Sequence, residues 1–224
     1  MMRFDAIILA AGLSLRMGAQ NKLLLDWHGV PIIRRVVQTY LDCIGPNITV
    51  VTGFESDLVG KALNGLPVQF HHNPCFADGQ QSSVMAGLSV PSDADATLMG
   101  LGDQPLLTAS ALCDLMTAYQ IADTSKIAFA VRGDERGNPT IIPAHMRSLI
   151  AADKARPGCR KFINDNPHLV TRIPMQSDGF FTDIDTPESY AFHVRTPVLG
   201  RIKRLFSLSP DQADQLARIK FPCC

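Results

Sequence analysis

Along the first 120 residues, nearly continuous apolar runs alternate with segments of helical periodicity. FDAIILAAG (4–12) is apolar throughout and ends at small residues, the pattern of a parallel strand covered on both faces. PIIRRVVQTYLDC (31–43) repeats its apolar positions at helical spacing, with Pro31 suited to a first helical turn. NITVVTGF (47–54) predicts a second strand, and a helix is expected over about 56–64. A short strand at VQFHHN (68–73), a helix at SSVMAGLSV (82–90) and a strand at ATLMGLGDQP (96–105) follow. TASALCDLMTAYQ (108–120) reads as a helix with Thr108 at its N-cap. IAFAVR (127–132) and NPTIIP (138–143) supply two more strands.

Such alternation predicts an α/β fold with a doubly wound, mainly parallel sheet and right-handed crossovers. From residue 144 the rhythm loosens. Helices are expected near 144–152 and 158–165, a strand at HLVTRIP (168–174), and a helix opened by Pro187 within TDIDTPESYAFH. A basic stretch, RIKRLF (201–206), precedes an amphipathic segment, SPDQADQLARIK (209–220). There is neither an internal repeat nor a low-complexity linker, so the expected organisation is one domain over 1–196 with an appendage over 197–224.

Composition narrows the functional classes. The 224 residues are 46% hydrophobic and 19% charged, the profile of a soluble globular chain that can bury a core without staples. Lysine plus arginine equals aspartate plus glutamate at 21 each, so no global field draws the chain to nucleic acid or to an anionic membrane. An anionic ligand must therefore be held by a local cluster. No apolar run reaches the roughly 18 residues needed to span a bilayer. The six cysteines contain no Cys-x-x-Cys pair, and no secretory signal is present, which predicts reduced thiols and a cytoplasmic location. The four internal cysteines are expected as small buried hydrophobes, and Cys223-Cys224 as a frayed tail, a lipidation site or a metal-binding pair.

The first strand end carries the candidate chemistry. In an open α/β sheet, ligands bind beyond the carboxyl ends of the strands. At Ala10-Ala11-Gly12, small residues let backbone amides approach phosphate oxygens, and Gly12 can adopt a positive φ if the turn demands it. Arg16 and Lys22 add charge to the same rim, the first as a five-donor fork and the second as a movable point charge. The stretch matches neither the Walker loop nor the dinucleotide fingerprint, so a solvated turn stays open beside phosphate binding. Two carboxylate groups add weight: Asp103 ends an apolar strand before Pro105, and Asp183 and Asp185 precede Pro187. Such carboxylates are costly unless hydrated, capping a turn or holding a cation. If Asp103 and Asp185 converge, they form a hard oxygen site suited to Mg²⁺ shared with substrate phosphates.

Five ordered motifs, LAAGLSLRMGAQNKLLL, NPCFADGQQSSVMAGL, GDQPLLT, RGNPTIIP and DIDTPESY, resemble those of the molybdenum cofactor cytidylyltransferases, over roughly residues 4–192. These belong to the wider nucleotidyltransferases with a three-layer, glycosyltransferase-A-like fold. The resemblance implies transfer from CTP to molybdopterin-bound molybdenum, with release of pyrophosphate. It also implies that Leu9, Ala10, Ala11, Gly12, Ser14, Arg16 and Lys22 wrap the nucleotide, with Arg16, Lys22 and Asp103 catalytic. Gly79, Ser82 and Ser83 would approach the base or ribose, Ser82 and Ser83 doubling as possible helix caps. Asp103 would hold Mg²⁺ with Asp185 as second ligand and Asp183 as its competitor. Relatives using GTP read Leu-Ala-Gly-Gly where this chain has Ala11, which favours CTP. Three residues separate Gly18 from Lys22 where many relatives have two.

The second substrate needs its own pocket. Lys154, Arg156, Arg160 and Lys161 are the densest cationic patch of the later half, open either to a phosphate or to solvent. His71 and His72 read as structural. A molybdenum hydroxylase is the recipient implied for the product. Competing readings are a guanylyltransferase, a methylerythritol phosphate cytidylyltransferase, and a molybdenum cofactor chaperone without chemistry.

Overall fold

The computed structural model describes residues 2–18, 20–152 and 159–195. Chain order runs β1 (Phe4–Ala10), β2 (Asp26–Trp27), β3 (Val30–Pro31), α1 (Ile32–Ile44), β4 (Ile48–Thr52), α2 (Ser56–Ala62), β5 (Gln69–His72) and α3 (Gln80–Ser89). It continues through β6 (Ala96–Leu101), α4 (Ala109–Ile121), β7 (Ile127–Arg132), β8 (Glu135–Pro143), α5 (Ala144–Ala152), α6 (Cys159–Asp165) and β9 (Val170–Pro174). These elements lie in one unit ending at Thr186. A second unit, Pro187–Cys224, contributes α7 (Pro187–Arg195), the helix expected at Pro187.

A seven-stranded sheet of order β5-β4-β1-β6-β8-β7-β9 organises the first unit. β1 pairs in parallel with β4 and β6, whereas β8 is antiparallel to both its neighbours, β6 and β7. Every residue of β1 except Asp5 is buried, because helices cover both faces. Ile7 and Leu9 join Val51 of β4 and Val84 and Leu88 of α3 in one core cluster. By the two-residue period of a strand, Ala6 and Ile8 face the opposite side, where α1 packs on β1 and on α4. Two glycines allow the close approach: a Cβ at Gly87 of α3 would meet Ile7 Cγ2 at 2.5 Å, and one at Gly100 of β6 would meet the Tyr40 hydroxyl at 2.1 Å. Burial pushes the Tyr40 phenol well above its ordinary pKa.

The expected alternation is the observed one, with differences at its edges. Thr108 caps α4 by accepting a hydrogen bond from the Ala111 amide at 3.2 Å. Pro31 precedes α1 as its cap, and Val30–Pro31 pairs with Asp26–Trp27 in a small ribbon that the apolar pattern does not signal. RGNPTIIP is a longer strand than expected because β8 begins at Glu135.

The cysteines need two corrections. Cys43 at the end of α1 and Cys113 in α4 form a disulfide, with 6.1 Å between their Cα atoms. The expectation of reduced thiols fails there because two packed helices bring together residues 70 positions apart, which spacing alone does not reveal. Cys75 is exposed in a turn, so among the unpaired internal cysteines only Cys159 is buried as expected. The amphipathic segment 209–220, the appendage 197–224, Cys223-Cys224, and the basic Lys154 and Arg156 lie outside the described residues. No described helix is long and apolar enough to cross a membrane.

Candidate active site

Strand order reverses between β1 and β6, since β4 and β5 extend the sheet from one side of β1 and β6 from the other. Ligands of doubly wound folds bind at such a switch point. The turn after β1 and the turn after β6 meet there. Leu9, Ala10 and Ala11 are buried strand-end residues, the Leu9 carbonyl accepting from the Gly102 amide at 3.0 Å and the Ala11 carbonyl from the Phe54 amide at 3.3 Å.

Beyond them the chain opens. Gly12 is exposed and no atom of the described residues lies within 4 Å of the place a Cβ would take, so a ligand could come against this backbone. Gly12 does not use a positive φ; the left-handed residue of the turn is Ser14, at φ 53°. Its hydroxyl accepts from the Lys22 amide at 3.2 Å, folding the loop back on itself. Asn21 accepts from the Leu23 amide at 3.1 Å and caps the single turn that presents Lys22. Buried Met17 and Leu23 anchor the loop, leaving Arg16 on the rim.

Four predicted residues converge. Lys22 Nζ donates to Asp103 Oδ2 and, at 2.6 Å, to Asp185 Oδ1. Arg16 Nη2 donates to Asp185 Oδ2 at 2.7 Å. The Ile184 amide donates to the Asp103 carbonyl at 2.9 Å, docking the 183–185 segment on the β6 turn. Side-chain exposure falls from 69% at Arg16 to 28% at Asp185, 15% at Lys22 and 12% at Asp103, so the cluster grades from solvent inward. Asp103 Oδ1 is buried with no hydrogen-bond partner among the described residues, a free acceptor in a half-dry site.

Electrostatics follow from this packing. Burial works against the Lys22 ammonium, but Asp103 and then Asp185 outweigh it and raise the group above its ordinary pKa. Burial also opposes ionisation of Asp185, yet Lys22 and then Arg16 hold its carboxyl below the usual range. Asp183 differs: burial and the neighbouring Asp103 push it up to about 6, although Gln104 Nε2 donates to its Oδ1 at 2.7 Å.

Gly79, Ser82 and Ser83 form a second cluster at the end of β5. Gly79, at φ 99°, caps α3, and both serines lie inside its first turn, so neither serves as the helix cap. Buried Asn73, whose importance the sequence reading missed, donates to Ser82 Oγ at 2.8 Å and Ser83 Oγ at 3.0 Å. Its amide bonds the Thr52 carbonyl at 2.8 Å, fixing the turn to the sheet. The clusters adjoin through Gly53, where a Cβ would meet Phe76 Cβ at 2.5 Å and Ala11 Cβ at 2.8 Å. The Ala11 methyl is therefore buried, not aimed at open space.

Farther along the sheet edge the basic patch divides. Lys161 pairs with Asp165 on its own helix, and Arg160 is exposed. Arg136 of β8 lies 4.2 Å above the Phe129 ring without a carboxylate partner among the described residues, and burial lowers it to about 10. His71 is half-buried, and His72 lines a cavity of about 440 Å³ with Thr52, Phe70 and Lys61, apart from the Lys22 cluster.

Two converging carboxylates and two cations thus lie beside the exposed Gly12 backbone at the switch point of a mainly parallel sheet, and solved nucleotidyltransferases share this glycosyltransferase-A-like fold. The chain belongs to the MobA-like NTP transferase domain family, whose pattern matches residues 6–170. The Escherichia coli molybdenum cofactor cytidylyltransferase is 36% identical over 194 residues, covering 85% of this chain and 95% of that one. Nicotine blue oxidoreductase of Paenarthrobacter nicotinovorans is 27% identical over 81% of this chain and 92% of its own. A nucleotidyl transferase from Methanothermobacter superposes with a TM-score of 0.74 at 20% identity, covering 86% of this chain and 96% of the other. A Mycobacterium tuberculosis protein in complex with manganese gives 0.68 at 19% identity over 87% and 100%.

Proposed function

We propose that the protein transfers CMP from CTP to a molybdenum-bearing molybdopterin cofactor, releasing pyrophosphate, with Mg²⁺ as its divalent ion. The observation that carries this reading is the meeting of Asp103 and Asp185, 82 positions apart, on one lysine beside the open backbone of Gly12. Their oxygens suit a hard cation, and the unpartnered Asp103 Oδ1 offers one a ligand. Two carboxylates leave most of a coordination sphere to water and phosphate, as Mg²⁺ prefers. When bound, the ion would neutralise charge on the phosphates as it develops.

The chain's own groups do the rest. Arg16 and Lys22 reach the triphosphate from the rim and from within, and stabilise the charge gathering on departing pyrophosphate. Both are engaged with carboxylates, so binding exchanges one set of partners for another. Gly12 lets the phosphates approach the backbone, while Gly79 and the turn held by Asn73 approach the base or ribose. An acceptor phosphate is already ionised at neutral pH, so the transfer needs no strong base. Arg136 and Arg160 supply positive charge for that acceptor. The product would pass to a molybdenum hydroxylase.

CTP is favoured by the likeness to the cytidylyltransferase and by Ala11, which, being buried, acts through the shape of the turn. Pyrophosphate release measured with CTP, GTP and ATP, each with Mg²⁺ and molybdenum cofactor, tests the reading. Release with CTP that needs the cofactor is expected. A preference for GTP, no release at saturating CTP, or turnover of nicotine blue in its place would overturn it.

A further inference from the structure

We propose that Gln104 is a positioning residue for the carboxylate pair: by tying the Phe180 carbonyl and the Asp183 carboxylate to the turn that carries Asp103, it leaves Asp185 as the carboxylate facing Lys22. This rests on the proposed function only for its catalytic consequence. The positioning itself is a matter of geometry.

Gln104 follows Asp103 directly and is 1% exposed. Its Nε2 donates to Asp183 Oδ1 at 2.7 Å and to the Phe180 carbonyl at 3.2 Å. Both partners are acceptors, so the orientation of the amide is fixed: its NH₂ faces the loop and its oxygen faces away. That oxygen, Oε1, is buried without a partner among the described residues. An apolar side chain of similar volume would fill the space and remove the stranded oxygen, losing only the two donors to the loop, so core packing alone does not account for an amide here.

Consecutive residues of the loop go to three places. Asp183 bonds Gln104, Ile184 is fully buried with its amide on the Asp103 carbonyl, and Asp185 meets Lys22 and Arg16. Two nearby aspartates compete for one cationic centre, and a small slip of the loop would exchange them. Gln104 removes that choice by occupying one of them. It also brings no charge of its own to a place where three carboxylates already repel one another.

The test compares the full-length parent with Gln104→Met, which keeps volume and loses both donors, and with Asp183→Ala, which removes the partner. After thermal unfolding confirms the fold, Mn²⁺ binding in the presence of CTP is read by electron paramagnetic resonance. Both variants should weaken Mn²⁺ binding by about tenfold or more and lower kcat similarly, with the KM for CTP within about twofold. The double variant should be no worse than the poorer single one, because both break the same contact. A folded Gln104→Met that binds Mn²⁺ and turns over like the parent would overturn the proposal, and should that variant not fold, parent-like Asp183→Ala would do so. A crystal structure of Gln104→Met decides the geometry separately: Asp185 should have left Lys22, and an unchanged ion pair would sink the idea. A parent that binds no Mn²⁺ with CTP would instead count against the proposed function, leaving the crystallographic result to judge Gln104.

Discussion

Lys22 and Asp185, 163 positions apart in sequence, form a 2.6 Å ion pair, and the same ammonium also bonds Asp103. One cation thus holds together the two carboxylates proposed above to bind the divalent ion. Lys22→Met would leave them facing each other in a site only partly open to water. The metal-free variant should lose about 3 kcal/mol of stability, as breaking a buried pair does. Urea unfolding with and without Mg²⁺ should show the ion restoring more stability to the variant than to the parent. Turnover should still fall by about 100-fold, because the phosphates lose their inner cation. Equal Mg²⁺ stabilisation of both proteins would remove the carboxylate pair from the metal site.

Asp185→Asn makes the converse case. It relieves Arg16 and weakens the hold on Lys22, since both now bond this carboxylate. Calorimetry without divalent ion should find CTP bound about as tightly as by the parent, or several-fold more tightly. Mg²⁺-dependent pyrophosphate release should fall by about 100-fold or more. Loss of metal-free CTP binding in a folded variant would show that the cations do not reach the phosphates from this position.

The sheet was legible from apolar runs because burial on both faces leaves few polar positions inside a strand, as in FDAIILA. Asp103 and the aspartates before Pro187 were legible too, since a carboxylate at the end of an apolar run invites explanation. The choice between Asp183 and Asp185 was not. By the positioning proposed above it turns on Gln104, an ordinary residue whose bond to Asp183 crosses 79 positions of sequence. Asn73 was hidden likewise, because an asparagine before proline reads as turn chemistry and its bonds to Ser82 and Ser83 appear only once β5 and α3 meet. The Cys43–Cys113 pairing shares this origin, as helix packing has no local signature in sequence.

Asp183 should give the protein a distinctive stability profile. Its carboxyl is pushed up to about 6 from an ordinary value of 3.8, so between these limits the folded chain keeps a proton that the unfolded chain releases. Stability contributed by the protonated form is therefore present below pH 3.8, declines as pH rises, and is lost above about 6. Asp183→Asn removes this decline and keeps an acceptor for Gln104. Measured without divalent ion, the variant should match the parent near pH 4 and exceed it by about 2 kcal/mol at pH 7. A difference that does not change with pH would mean that the site stabilises the charged carboxylate after all.

Two glycines should separate folding from ligand binding. A Cβ at Gly179 would lie 2.5 Å from Leu107 Cα and 2.6 Å from the Leu106 carbonyl oxygen, and backbone cannot step aside as the end of a long side chain can. Gly179→Ala should push the 178–185 loop off the turn after β6, costing about 2–3 kcal/mol of stability and displacing Asp185 from Lys22. At Gly12 a Cβ meets nothing within 4 Å, and φ does not lie in the left-handed range. Gly12→Ala should therefore stay within about 0.5 kcal/mol of the parent. If the phosphates come against this backbone, the added methyl should weaken CTP binding by about tenfold or more, readable by calorimetry. Full-strength CTP binding in Gly12→Ala would move the triphosphate away from the β1 turn, whereas parent-like stability in Gly179→Ala would show that the loop carrying Asp185 is held less closely than its backbone contacts imply.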